Sequence, residues 1–209
     1  MTPEERKHRT EQILQDKGIP FLDSLPLTED ENDVELRATE DVGKRIVCLF
    51  CFAGTGFNPD NRNFINYLKE NDVWEFLSEE EATLLSNPNG HEKALINASW
   101  RMEALYFLLW ATGVIKDLPW PTEESSSSDF MEAMPAADEP PWPFIRSLVL
   151  RPVSEIMDAS DLIYRLHWAA RTYGNEIPIN QGVVQEWHHA VNWLTNYDGE
   201  KWDWVATDT

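Results

Sequence analysis

The sequence predicts a mainly α protein: a single-domain, irregular helical bundle around a central apolar helix, broken by one long acidic Pro/Ser-rich loop. Three observations lead there. Apolar residues recur at helical spacing in several segments, capping signatures open those segments, and no stretch alternates with the period of two that a half-buried strand needs. A length of 209 residues suits one domain, 1–209, with a sizeable core. Ten tryptophans and nine phenylalanines among 42% hydrophobic residues argue for a packed globule.

Taken in order, Thr2 and Glu5 form a candidate capping box, with Pro3 at the first helical position and Gly18 and Pro20 ending the helix. Few apolar residues mark this helix, which predicts light packing. From Thr39, residues Val42, Ile46, Leu49, Phe50 and Ala53 make an inward stripe that Gly54 and Gly56 are expected to stop. The G-T-G is not read as a phosphate loop, because no strand precedes it and no helix opens at it. Asn58-Pro59 looks like the start of a helix through Tyr67 and Leu68, and Ser78 with Glu81 is a second capping box.

After a turn at Asn87 to Gly90, a helix is expected from about His91 to Thr112, closed by Gly113, with apolar residues around its whole axis beyond Trp100. This is the expected central helix. Residues Asp117 to Pro143 hold six prolines, the run Ser125 to Ser128 and seven acidic residues without a basic one, the pattern of an irregular or mobile loop. Within it Phe130, Met131, Met134 and Trp142 are expected to dock on the body rather than to present a motif to a partner. Phe144 to Leu150 reads as a short extended segment. A long helix follows from Pro152 to Gly174 and a last one from Gln181 to Leu194, and the tail KWDWVATDT should be anchored by its two tryptophans.

The chemistry lies in three stretches that carry charge inside aromatic, apolar helices: Trp100 to Gly113, Asp161 to Gly174 and Glu186 to Tyr197. Buried ions are costly unless paired, so these groups must meet each other or a ligand. The candidate polar cluster is Arg101, Glu103, Tyr164, His167, Arg171, Glu186, His189, Asp203 and Asp208. Stepping 100° per residue puts Ile156, Ala159, Ile163, Leu166, Ala170 and Tyr173 on the core face of the long helix and Tyr164, His167 and Arg171 on a flanking strip. Arg165 then faces out and pairs with Asp161. On the last helix Val183, Trp187, Ala190 and Leu194 face the core, with Glu186, His189 and Trp193 beside them.

Arg101 and Glu103 point too far apart to pair with each other. Glu186, Asp203 or Asp208 are the expected partners of Arg101, and Arg171 or His167 those of Glu103. The cluster reads as a packing network or, as the alternative, as a pocket with His167 carrying a proton and arginines holding an anion. Glu186-x-x-His189 has the spacing used in di-iron bundles, but the set is incomplete, so no metal and no cofactor is expected. No serine or cysteine is placed for activation, and Cys48 and Cys51 read as core residues.

The formal charge of -20, from 37 acidic against 17 basic residues, repels phosphate backbones and attracts cations. No nucleic acid is therefore expected. The N-terminus lacks a signal-like apolar stretch and the run Ala104 to Ile115 is too short to span a bilayer, so a cytoplasmic protein without a membrane partner is expected. The favoured function is a non-enzymatic acidic interaction protein, such as an inhibitor or immunity protein that binds a basic protein. The alternative is a small-molecule-binding protein or hydrolase-type enzyme using the Arg/Glu/His pocket. Nothing in the residues fixes an oligomeric state.

Several segments together carry a resemblance: GIP at Gly18 to Pro20, LR at Leu36-Arg37, WRMEALYFLLWATG, LRP at Leu150 to Pro152, DLIYRLHWA, HAVNWL from His189 to Leu194, and WDWVATDT. By these the chain resembles a bacterial domain-of-unknown-function family, number 4272. Two positions depart from that family's pattern, Trp187 in place of an arginine beside Glu186, and a tail Trp-Asp-Trp-Val where a further acid is implied. The resemblance implies a fold unit and a map of motifs, and no activity.

Overall fold

A computed structural model describes residues 1–88 and 92–209. Among the described residues there are eight α-helices and no strand. They are α1 (Pro3–Asp16), α2 (Thr39–Phe57), α3 (Asn63–Glu70), α4 (Glu79–Ser86), α5 (Glu92–Ala111), α6 (Trp142–Ser147), α7 (Val153–Tyr173) and α8 (Gln181–Leu194). The expected turn residues Asn89 and Gly90 and the expected helix start at His91 lie outside the described residues. None of the described helices is long and apolar enough to cross a membrane.

The bundle is a packing series in which α2 lies on α5, α5 on α8, α8 on α7 and α7 on α1, with α3 and α6 against α2. Central α5 earns its place from sequence, since every residue from Glu103 to Ala111 is buried. Both expected capping boxes form, at Thr2/Glu5 and Ser78/Glu81, and each satisfies backbone N–H groups that the first turn leaves free.

Glycine does not stop α2. The helix runs through Gly54 and Gly56 to Phe57, because these positions are where neighbours come closest. A Cβ on Gly56 would sit 2.6 Å from the Ser99 backbone nitrogen of α5, and one on Gly54 would sit 2.5 Å from the Phe64 ring. Gly113, by contrast, ends α5 with φ +74, a conformation that side chains disfavour. Helix α3 begins only at Asn63, since residues 58–62 are spent in turns. The stretch expected to be extended before α7 is helical at its start, where Pro141 caps α6 and Pro143 fits its first turn.

The acidic segment is irregular, with two short 3-10 turns, Ser127–Asp129 and Met131–Ala133, and it is fastened to the body. Phe130 and Met134 are buried, and Phe130 meets Tyr106 edge to face at 6.3 Å. Met131 stays exposed. The Asn180 N–H donates to the Pro121 carbonyl at 2.8 Å and the Tyr67 hydroxyl to that of Glu139 at 3.0 Å.

Light packing of α1 is also not what forms. Arg6, Thr10 and Leu14, spaced four apart, make a buried face against α7, and Arg6 is held by Asp158 at 3.0 Å and by Glu31. The face is mostly polar, so an apolar stripe could not announce it. Cys48 and Cys51 are buried free thiols in α2, and burial pushes the Cys48 thiol up to about 12.

Candidate functional site

Helix α8 places the polar cluster, and its faces divide it in two. Where α8 faces α5, Arg101 donates to Glu186 at 2.9 Å, one of the expected pairings. One turn on, the His189 ring packs edge to face on Trp202 of the tail at 4.5 Å, and Trp202 in turn packs on Trp193 at 5.4 Å. Trp202 is therefore the tail's anchor, whereas Trp204 is 71% exposed, so only one of the two expected anchors is buried. Asn192 holds the tail further along, donating to the Ala206 carbonyl at 2.9 Å.

An open cleft of about 540 Å³ lies between α4, α5, α8 and the tail. Arg101, Glu186, His189 and Asp203 line it, together with Glu80 of α4. Asp203 accepts a hydrogen bond from the Glu80 backbone N–H at 3.1 Å, which places a carboxylate at the positive end of α4. A second groove shares Glu80, Leu84, Ala94 and Asp203 with the first and extends it to Glu79 and the exposed Trp204.

His189 is only 8% exposed, and burial pushes it down to about 3, helped by the positive charge of Arg101 and opposed by a backbone hydrogen bond to Trp202. The ring is neutral at pH 7. Its Nε2 finds no hydrogen-bond partner among the described residues. Burial also raises the Glu186 carboxyl, against the pull of Arg101.

Where α8 faces α7, the Nδ1 atoms of His167 and His188 lie 2.9 Å apart. Burial pushes His167 down to about 4, with Arg171 adding to the effect, and His188 down to about 3, with His167 adding to it. Tyr164 and Asp208 line a second cleft, of about 420 Å³, beside His188, and Arg171 donates to the Thr209 hydroxyl at 3.0 Å. The nine predicted residues thus do not form one pocket. Four line the first cleft, four gather around the second, and Glu103 stands apart.

Glu103 does not meet Arg171 or His167. It accepts from the Ser125 N–H at 2.7 Å and the Ser125 hydroxyl at 2.8 Å, so the acidic loop is its partner. Burial raises this carboxyl and the Ser125 hydrogen bonds oppose the rise. Arg165 is fully buried rather than outward-facing. Its expected pair with Asp161 forms at 2.9 and 3.0 Å, and the segment at Pro26 to Thr28 covers both, the Pro26 carbonyl accepting from Arg165 at 3.2 Å.

A family model described as "Domain of unknown function (DUF4272)" matches residues 6–205. The chain belongs to the DUF4272 family. Comparison with curated proteins found no match, and comparison with solved structures found none.

In this DUF4272 chain, two of the motifs carrying the resemblance terminate helices. Arg37 donates from Nε to the Trp193 carbonyl at 2.7 Å and stacks on the Trp193 ring at 4.8 Å, closing α8. Arg151 donates to the carbonyls of Trp110 at 2.6 Å, Ile115 at 3.1 Å and Lys116 at 2.7 Å, and stacks on Trp110 at 4.9 Å, closing α5. Both add a guanidinium donor in the last turn of a helix, to the Trp193 and Trp110 carbonyls that also accept from the Asn196 and Gly113 N–H groups.

Other charged groups escaped the sequence reading. Arg45 reaches both carboxylate oxygens of Glu81 at 2.8 and 2.6 Å and the Phe76 carbonyl at 2.8 Å, its guanidinium stacked on Trp202 of the tail at 5.0 Å and near Trp193 of α8 at 5.9 Å. Arg45 follows Lys44 in a helix marked by its apolar stripe, Glu81 follows Glu79 and Glu80, and 36 residues separate the partners. His188 did carry a signal, since Val184 and Val191 flank it at spacings of four and three on one helical face. Glu186 and His189 diverge, one to Arg101 and one to Trp202. Among the described residues no group of three or more His, Cys, Asp or Glu side chains is arranged to hold a metal ion.

Proposed function

We propose that this protein is a non-enzymatic acidic interaction protein that binds a basic protein partner, in the manner of an inhibitor or immunity protein. The observation that carries the reading is the groove at the α4 N-terminus, which Glu79, Glu80 and Asp203 line together with the exposed Trp204. Carboxylates beside an aromatic face suit a cationic group, by charge and by attraction to the ring. The formal charge of -20 extends the same preference over the surface and would speed the approach of a basic partner.

The enzymatic alternative keeps a cleft but loses its chemistry. Arg101 is engaged by Glu186, His167 faces His188 in a buried seam, and Glu103 is engaged by Ser125. An anion entering the first cleft would meet three carboxylates, Glu80, Glu186 and Asp203, against one guanidinium.

Affinity capture from the native host, followed by purification of the captured proteins and direct titration, tests the reading. A basic partner should bind at least about tenfold more weakly in about 300 mM salt than in about 50 mM. Purified candidates that bind equally at both salts, or none that binds at all, would overturn it.

A further inference from the structure

One residue lining the cleft, His189, holds a buried polar atom that has no hydrogen-bond partner among the described residues. That atom is Nε2, while Arg101 and Glu186, which line the same cleft, are already engaged with each other. A buried polar atom without a partner costs free energy, and a ligand that hydrogen-bonds it recovers that cost. The acceptors nearby define which ligand fits. Glu80 and Asp203 supply carboxylates, Asn97 and Gln185 supply amide oxygens, and the neutral imidazole supplies a lone pair when its other nitrogen holds the proton.

We propose that the cleft seats one arginine side chain of the cationic partner, its guanidinium paired with Glu80 and Asp203 and donating to Nε2 of His189, its aliphatic stem lying along Trp204. This assignment rests on the reading of the protein as a binder of basic proteins and gives that reading its point of entry. Arginine suits the site better than lysine for three reasons. Its five N–H donors can reach several acceptors at once, its planar head loses less freedom per hydrogen bond, and it is more weakly hydrated than an ammonium. Its apolar stem would cover the exposed tryptophan while the head enters the cleft. The two contiguous grooves provide the path, because they share Glu80, Leu84, Ala94 and Asp203.

The test uses the full chain and a capped Gly-Arg-Gly peptide as the probe, with the matching lysine and citrulline peptides beside it. Two-dimensional ¹H–¹⁵N spectra follow the Trp204 indole and the His189 backbone amide. The arginine peptide should saturate and shift both, the lysine peptide should bind several-fold more weakly, and the uncharged citrulline peptide at least about tenfold more weakly. Glu80→Gln with Asp203→Asn should weaken the arginine peptide at least about tenfold. Both variants keep the fold, since Glu80 is exposed and an asparagine oxygen can still accept from the Glu80 N–H. Glu123→Gln with Glu132→Gln removes the same charge from the exposed part of the acidic loop and should leave the affinity as it was.

The assignment is overturned if the arginine peptide shows no saturable binding, if citrulline or lysine equals arginine, or if the two double variants weaken binding alike. Its failure is separable from failure of the broader reading. A purified basic partner that stays salt-sensitive yet binds Glu80→Gln/Asp203→Asn undiminished removes the arginine seat alone, whereas absence of any salt-sensitive partner removes the reading.

Discussion

Nδ1 of His167 and Nδ1 of His188 face each other at 2.9 Å in the seam between α7 and α8. One nitrogen must donate and the other accept, so a proton on both would set two N–H groups against each other. Both rings, and that of His189, have folded-state values pushed below 6.5, to about 4, about 3 and about 3. The unfolded chain therefore takes up protons first as pH falls. The stability these rings contribute is present above about pH 6.5 and is lost progressively as pH falls below it. Burial raises Glu103 and Glu186, which bind protons more readily when folded and offset part of the loss at the acid end. Urea unfolding at a series of pH values should show this fall, and His188→Asn should reduce it.

Arg45 and Glu81 form a buried pair whose two members are each costly alone. Glu81→Ala or Arg45→Ala should destabilise by about 3 to 5 kcal/mol, because an uncompensated charge remains buried. Replacing both with apolar residues of similar volume should cost much less than the sum. A double-mutant cycle by chemical denaturation checks it, and additive losses would contradict the coupling.

Gly56 is set by the approach of α2 to α5, not by turn formation. Gly56→Ala should cost about 1 to 3 kcal/mol, because its Cβ would press on the backbone of Ser99 and Leu95, which cannot rotate away as a side chain can. An unchanged or raised thermal midpoint would show that the helices separate freely.

Glu103 fastens the acidic loop through Ser125. Glu103→Ala should free the segment and speed its cleavage in limited proteolysis between about residues 120 and 135 while leaving the rest of the bundle intact. Glu103→Gln, which retains an acceptor, should lie between that variant and the wild type.

The helices that carry a periodic apolar stripe were legible from sequence, and the cluster they were expected to form was not. Helical stepping found the core faces of α7 and α8 and offered Glu186, Asp203 or Asp208 to Arg101, of which Glu186 is the one it meets, because these depend on angles within one helix or between helices that pack. It misplaced Arg165, since the residues covering it, Pro26 and Thr28, lie in a segment without periodicity. The loop residue that meets Glu103 was illegible for the same reason. Gly54 and Gly56 misled because a glycine that lets two helices touch has the same sequence signature as one that ends a helix. The division of the cluster follows from the two faces of α8, one carrying Glu186 to Arg101 and His189 to Trp202, the other carrying His188 to His167.

Hydrogen exchange of the chain alone and saturated with its purified basic partner tests the central claim most directly. Protection concentrated at the start of α4, around Glu79 to Leu84, and in the tail from Trp202 to Thr207 is the predicted result. Protection elsewhere on the bundle, with these two segments exchanging as in the free protein, would contradict it.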